Sequence, residues 1–466
     1  MFAIKKATTP SVVEALGLII IIVGLISMSI IKFSSAPHIP ILFSIIILIV
    51  YGLIKKVPFK VLETGMVEGA KSGLSAVFLF FLIGLLIATW MLSGTIPTLV
   101  YLGFKIVTVH FFYAIVFVVT AVVGVAIGSS LTTSATIGVA FIGIASALDA
   151  SLTITAGAIV SGAFFGDKMS PLSDTTNISS TMMKVDLFEH IRNMAWTTVP
   201  AFIISFIGFA LLSPKVSTAD FGKLLSYQEA LIKTNLVHWY SLIPLIILAL
   251  FAFKKISASL TLIFNSIFAI ILSYFHQFTP GKELFQTLFS GYVSSTGNDA
   301  IDSLLTRGGL NSMMFTISLV LLALSMGGLT FTLGIVPVLL QSLGKLLNKV
   351  GSVIMAAAFT AIGINVLIGE QYLSIILTGE SFQRPFNKLG LANKNLARVL
   401  EDAGTVVNPL VPWSVCGVFL TNVLGVPTIE YLPFAFFCLL SPILTILYGW
   451  TGKTLTMVKD EKEMRL

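Results

Sequence analysis

The chain has 466 residues, of which 56% are hydrophobic and 11% charged, and its mean hydropathy is +0.99. A water-soluble protein carries roughly 25% charged residues, so this chain cannot cover a water-facing surface and lipid must be the solvent for most of it. Its net charge of +7 does not point to nucleic acid, because the basic residues sit in short loops between apolar runs, where they set membrane topology.

In chain order, Lys5 and Lys6 precede the first apolar run, 15–31. That run is longer than a signal-peptide core, and Pro37 would follow a cut after Ser34-Ser35-Ala36, so it reads as a retained helix. Further runs without Asp, Glu, Lys or Arg cover 33–54, 72–104, 106–148, 193–214, 234–253, 256–281, 308–344, 350–369, 403–429 and 431–452. A helical crossing needs about 20 apolar residues, so the chain holds about 10 to 13 membrane segments, with more than one each in 106–148 and 308–344. Stretches such as LGLIIIIVGLISMSII do not alternate, which removes a β-barrel. The positive-inside rule puts the N-terminus and the loop with Lys55, Lys56 and Lys60 in the cytoplasm, with Lys32 and His38 outside. The basic loop with Arg384, Lys388, Lys394 and Arg398 and the tail from Lys453 are expected in the cytoplasm too. Cys416 and Cys438 both lie in apolar segments and read as buried small hydrophobes, not a disulfide.

The expected fold is an all-α polytopic membrane protein. A polar connector, 214–237, divides a first half, 1–213, from a second, 238–466. The halves echo each other. IGSSLTTSATIG (127–138) precedes FGDKMSPLSDTTN (165–177) in the first, and IGEQYLSIILTGES (368–381) precedes LEDAGTVVNPLVPW (400–413) in the second. Each half pairs a Gly-started polar segment with a later acidic, Pro-Leu-containing break. Interrupted helices in corresponding places of two repeats point to the site of a secondary transporter.

The strongest local feature is Gly166-Asp167-Lys168-Met169-Ser170-Pro171-Leu172-Ser173-Asp174-Thr175-Thr176-Asn177. Pro171 disfavours continuous helix and frees backbone carbonyls. Unwound backbone at membrane depth survives only when buried in protein or lining a wet cavity. Carbonyls, hydroxyls and a carboxylate are hard oxygen ligands suited to a small alkali cation. A water-exposed loop is the plainer alternative for the same residue types. Ser129, Thr132 and Thr133 in GSSLTTSAT serve either helix packing or the wall of the same cavity. Glu370 closes an apolar run and is either an intramembrane functional acid or a helix-end charge. Glu401 and Asp402, with Thr405, Asn408, Pro409 and Trp413, repeat the broken-helix pattern, and a plain helix start accounts for them as well. The polar stretch Thr296–Asp302 reads as structural. The five histidines have no metal spacing. With no Walker A motif ATP is not the driver, and no cofactor is expected.

SGAFFGDKMSPLSDTTN (161–177) closely resembles the NhaC family of bacterial sodium/proton antiporters. The upstream GSSLTTSAT, the second-half Gly-Glu segment and the length extend the resemblance over nearly the whole chain. It implies exchange of sodium for protons across a bacterial inner or plasma membrane, a fold of two inverted-topology repeats, and an association into dimers common among similar folds. Members similar to malate/lactate antiporters leave a small carboxylate open as a further substrate. On this basis Asp167 or Asp174 is the carboxylate shared by proton and sodium, with Ser170, Ser173, Thr175 and Asn177 as cation ligands beside Thr176. Asp402, Thr405 and Asn408 contribute from the other half, Glu370 is a further coupling carboxylate, and Lys168 balances charge or pairs with an organic carboxylate. A passive channel and a membrane enzyme are the less favoured classes. The second lacks any Ser/His/Asp or metal-ligand spacing.

Overall fold

The computed structural model describes residues 6–33, 35–106, 111–213, 228–254, 256–295, 302, 305–343 and 349–458. Lys5, Ser34, His110, residues 214–227 of the connector and Thr296–Ile301 lie outside the described residues.

Among the described residues, six helices are long and apolar enough to cross a membrane, and two bent helix pairs and four shorter apolar helices accompany them. The chain is a multi-pass α-helical membrane protein. Burial sorts the spans radially. Of the apolar window of α1 (Val12–Phe33), 11% is buried, against 94% for α7 (Ser130–Ala147). Leu, Ile and Phe on α1 and α2 (His38–Ile54) meet lipid, while the Ser- and Thr-rich α7 sits at the centre, where its hydroxyls bond to backbone. Both cysteines are buried and free.

The uncharged run 106–148 holds α6 (Phe112–Ile127) and α7, after α3 (Phe59–Lys71), α4 (Leu74–Leu92) and α5 (Thr95–Ile106). The chain continues through α8 (Leu152–Met169), α9 (Asp174–Met182) and α10 (Leu187–Leu212). Then come α11 (Ile243–Phe253), α12 (Ala258–Ser273) and α13 (Gly281–Ser290). Run 308–344 likewise holds two helices, α14 (Met314–Thr332) and α15 (Ile335–Leu343). The remainder is α16 (Val350–Ile368), α17 (Gln371–Lys388), α18 (Asn393–Val399), α19 (Val415–Leu424) and α20 (Phe436–Thr451).

Element order recurs. In each half two helices precede a helix ending on a left-handed glycine, a second helix follows, and a later break separates two more. α6 stops at Gly128 (φ +73°) and α16 at Gly369 (φ +78°). Only a residue without Cβ adopts this geometry freely. The next residue in each case is extended and caps the following helix: Ser129 Oγ accepts from Thr132 N at 3.3 Å, and Glu370 Oε2 accepts from Leu373 N at 2.7 Å. Pro171 forbids the helix from running on, so α8 gives way to α9 through Ser170–Ser173. α18 passes into a π-helical turn, Leu400–Thr405, and Asn408–Leu410 carries the chain through a second irregular stretch to α19.

Glycine lets the central helices approach closely. A Cβ on Gly166 of α8 would lie 2.5 Å from the backbone of Gly124 on α6, and one on Gly162 would lie 2.5 Å from the Phe117 carbonyl. Without an apolar driving force between helices in lipid, such backbone contact supplies the packing. The expected basic loop is helical instead: Arg384 and Lys388 lie in α17, Lys394 and Arg398 in α18, and Arg398 is buried, its Nη1 donating to Thr454 O at 3.3 Å. The C-terminal segment folds back over it and supplies the acceptor.

The Gly166→Leu change is expected to destabilise the protein by about 1–3 kcal/mol or more through overpacking. The Gly17→Leu change on α1, with open space at its Cβ position, is expected to leave the melting temperature in detergent unchanged. Equal melting of the two variants would contradict the packing account.

Candidate functional site

The two breaks of the first half meet at Gly128, where a Cβ would fall 2.6 Å from that of Leu172. Around this crossing lies a cavity of about 260 Å³, lined by Ser129, Ser130, Thr132, Asp167, Asp174, Thr175 and Asn177 and, from the second half, Gln371 and Tyr372. Asp167, in the last turn of α8, is 5% exposed. Its Oδ2 accepts from Ser130 Oγ at 2.7 Å and Ser130 N at 3.2 Å, so the carboxylate faces the N-terminus of α7, where backbone donors and the helix dipole favour an anion. Asp174 begins α9 and is exposed to the cavity.

The remaining polar groups of the break hold it open. Asn177 Nδ2 donates to Pro171 O at 3.0 Å and Ser173 O at 2.7 Å, meeting carbonyls that Pro171 releases from the helix. Thr176 Oγ1 donates to Lys168 O at 3.2 Å, Ser170 Oγ accepts from Leu172 N at 3.2 Å, and the Ser173 and Thr175 hydroxyls lie 3.0 Å apart. Thr133 is buried behind the cavity with Oγ1 on the Ser129 carbonyl. The loop alternative for 166–177 is excluded for most of its residues, since Asp167, Lys168, Ser170, Ser173, Thr175 and Thr176 are all buried.

Lys168 points away from this cavity. It is fully buried in an ion pair with Asp402 Oδ1 and lies 5.6 Å from the Phe437 ring centroid. Thr197 Oγ1 donates to Asp402 Oδ1 at 3.1 Å and Thr445 Oγ1 to Oδ2 at 2.7 Å, so α8, α10, α20 and the π-turn converge on one carboxylate. Next to it, buried Glu401 accepts from Ser179 Oγ through Oε1 at 2.6 Å, with the buried Thr405 hydroxyl beside the same carboxylate.

Asn408 ties the second break together. Its Nδ2 donates to Asn365 Oδ1 at 2.8 Å and Gly369 O at 3.3 Å, and its Oδ1 accepts from Cys416 N at 2.9 Å. Asn365 in turn donates to Gly404 O at 2.6 Å. Glu370, 5% exposed, caps α17 and lines a separate cavity of about 650 Å³ with Glu68, Lys71 and Glu380. Glu370 is thus a helix cap, as the helix-end reading expected, and a buried one.

The structure thus distributes the expected residues. Asp167, Asp174, Ser129, Thr132, Thr175 and Asn177 share the first cavity. Asp402 and Thr405 lie in the buried network behind it, and Asn408 belongs to a backbone-fastening network. Sequence reasoning passed over Ser130, Tyr372, Thr197, Thr445, Asn365 and the partner of Glu401. Asn365 and Thr445 each stand as isolated polar residues in apolar runs, a signal that could have found them, and Thr197 stands in a Thr-Thr pair in another.

Broken helices that cross at a buried carboxylate inside an apolar bundle define a polytopic secondary transporter. The chain belongs to the Na+/H+ antiporter family, whose model matches residues 2–176 and 162–453. It is 42% identical over 449 residues to the Na(+)/H(+) antiporter NhaC of Alkalihalophilus pseudofirmus, covering 96% of each chain. Against the protein of that name in Bacillus subtilis it is 38% identical over 454 residues, covering 96% of this chain and 99% of that one. The Malate-2H(+)/Na(+)-lactate antiporter of Bacillus subtilis is 31% identical over 463 residues, with 98% of each chain covered.

Removing Lys168 strands Asp402 without its ion pair at a fully buried position. The Lys168→Met change is expected to cost about 3–5 kcal/mol of stability, and adding Asp402→Asn to recover a large part of it. Thermal denaturation of the two single variants and the double in detergent measures this, and purely additive losses would contradict the pairing.

Proposed function

We propose that this protein exchanges sodium for protons across the membrane by alternate neutralisation of buried carboxylates. One observation carries the reading. Four buried carboxylates, Asp167, Glu370, Glu401 and Asp402, stand against two buried cations, Lys168 and Arg398, among the described residues. Lone charge in a low-dielectric interior is costly. Protons or small cations must supply the balance, and a site that takes one or the other but not both exchanges them.

Asp167 is the group on which this competition turns, because it is the buried carboxylate at the first cavity. Asp174, Ser173 and Thr175 complete the sodium ligands with carboxylate and hydroxyl oxygens, the hard donors a small alkali cation requires. Ser129, Thr132 and Asn177 line the approach. Lys168 holds Asp402 in place and keeps that pair neutral. Glu370 and Asp402 couple the second half to the first. The recurring element order favours two halves, 1–213 and 238–466, joined by 214–237 and related by inverted topology. Alternating access then follows from one half rocking against the other. Charge bias in the loops favours an N-terminus in the cytoplasm, and the bacterial sources of the relatives favour an inner or plasma membrane.

A second reading keeps the mechanics and adds a small carboxylate to the cargo. The name of the malate/lactate relative favours it, as does a cavity of about 260 Å³, far larger than one sodium ion.

The test uses purified protein in sealed liposomes with a pH dye inside. Sodium added outside is expected to make the lumen alkaline without any organic acid, and the Asp167→Asn and Asp174→Asn variants to lose this exchange. If both variants keep full exchange, the assignment fails. A pH change that requires lactate or malate would select the second reading.

A further inference from the structure

Two helices leave the Asp167 cavity side by side and in the same direction. At the inner end, Asp174 of α9 and Tyr372 of α17 both line that cavity. Further on the helices touch, and a Cβ on Gly379 of α17 would lie 3.0 Å from Met182 Cε of α9. A groove of about 700 Å³ follows the pair between these points. From α9 it takes Asp174, Asn177, Ile178 and Thr181, the spacing of one helix face. From α17 it takes Tyr372, Ile376 and Glu380, one residue from each turn. The opposite faces are packed, since Thr176, Ser179 and Ser180 behind α9 and Ser374 and Thr378 behind α17 are buried. Asp174, Thr181 and Glu380 on the groove side are exposed. A face that carries two carboxylates lines water and not lipid.

At 1.5 Å rise per residue the groove runs about 10–12 Å from Asp174 and Tyr372 out to Thr181 and Glu380. There it joins the cavity at Glu370, because Tyr372, Ile376 and Glu380 line both spaces. Tyr372 is therefore a wall shared by three cavities, and its phenol interacts electrostatically with Asp174, Glu370 and Asp167. Both helices finish at one face. α9 ends at Met182 just before Lys184, α17 ends at Lys388, and Asn393 Nδ2 donates to Met183 O at 3.0 Å.

We propose that this groove is the route by which cations reach Asp167 from the cytoplasm, and that Glu380 at its outer end selects for positive charge. Lysines at short connections mark the cytoplasmic face. A carboxylate at the mouth of a confined, wet groove concentrates cations and repels anions. Lys71, at the same mouth, is paired with Glu68 at 2.5 Å, and Arg384, one turn beyond Glu380, lines neither the groove nor the Glu370 cavity. Asp174 receives the ion at the inner end, and Tyr372 stands where the groove meets the Asp167 cavity. The inference rests on the antiport reading above and assigns that reaction its path and a residue of its selectivity.

The experiment places a cysteine in the groove, Ile178→Cys or Thr181→Cys, in the full-length protein. Inverted and right-side-out membrane vesicles are treated with a cationic trimethylammonium-ethyl or an anionic sulfonato-ethyl methanethiosulfonate. Mass spectrometry then identifies the modified residue, so the buried Cys416 and Cys438 stay in place. Both new cysteines are expected to react in inverted vesicles, about threefold or more faster with the cationic reagent, the scale of one unit charge a few ångströms from an ion in water. Glu380→Gln is expected to abolish that preference and Glu380→Asp to restore it. In sodium/proton exchange measured from the cytoplasmic face, Glu380→Gln is expected to raise KM for sodium by a similar factor and to leave kcat unchanged. An unreactive Ile178→Cys, reaction only in right-side-out vesicles, equal rates for the two reagents, or an unchanged KM in Glu380→Gln would each overturn the proposal. The charge preference is read with Glu380 in place, so the test survives a variant that misfolds. Exchange without groove labelling defeats this inference alone, and charge-selective labelling without exchange defeats the antiport reading alone.

Discussion

Asp402 and Lys168 meet where neither touches water, and the packing of the core depends on their meeting. Four elements converge on this carboxylate, since Thr197 of α10 and Thr445 of α20 donate to it alongside Lys168 of α8. In lipid no solvent is available to rescue a polar group left over, which is why these buried charged and hydroxyl groups gather on one another. The same rule explains the breaks. Pro171 frees carbonyls that Asn177 must meet, and the second break is bearable because Asn365 and Asn408 stitch its backbone. Gly128 and Gly369 make the reversals possible, and Ser129 and Glu370 cap the helices that follow.

Function enters where this rule is left incomplete. Asp167 has donors from Ser130 at a helix N-terminus, with Ser173 beside it, and opens on a cavity. Glu401 is buried with no cation paired to it among the described residues. On the proposed reading, a mobile cation completes a core that keeps more buried carboxylates than buried cations among the described residues. Proton and sodium both qualify, and the exclusion of one by the other is the coupling.

Much of this was legible in the sequence because membrane constraints are severe. The spans follow from apolar length, and the breaks from Gly128, Pro171, Gly369 and Pro409 set against apolar surroundings. The pairing of GSSLTTSAT with GDKMSPLSDTTN located the first cavity. What the sequence hid is contact between distant segments. Nothing in the spacing says that Lys168 turns to Asp402 and not to the cavity beside Asp167, because α8 presents its two adjacent charged residues to opposite sides. Nor does it say that Tyr372 and Gln371, rather than Thr405 or Asn408, face Asp167. Arg398 looked like a loop charge because its acceptor, Thr454, comes from the far end of the chain.

The most direct test of the account counts protons released when sodium binds. Purified protein in weakly buffered detergent with a pH indicator is given sodium chloride, with choline chloride as control. Competition at Asp167 predicts that sodium releases protons from the unaltered protein and that Asp167→Asn releases markedly fewer. Sodium binding, seen by calorimetry in the same samples, with no proton release would contradict the central claim.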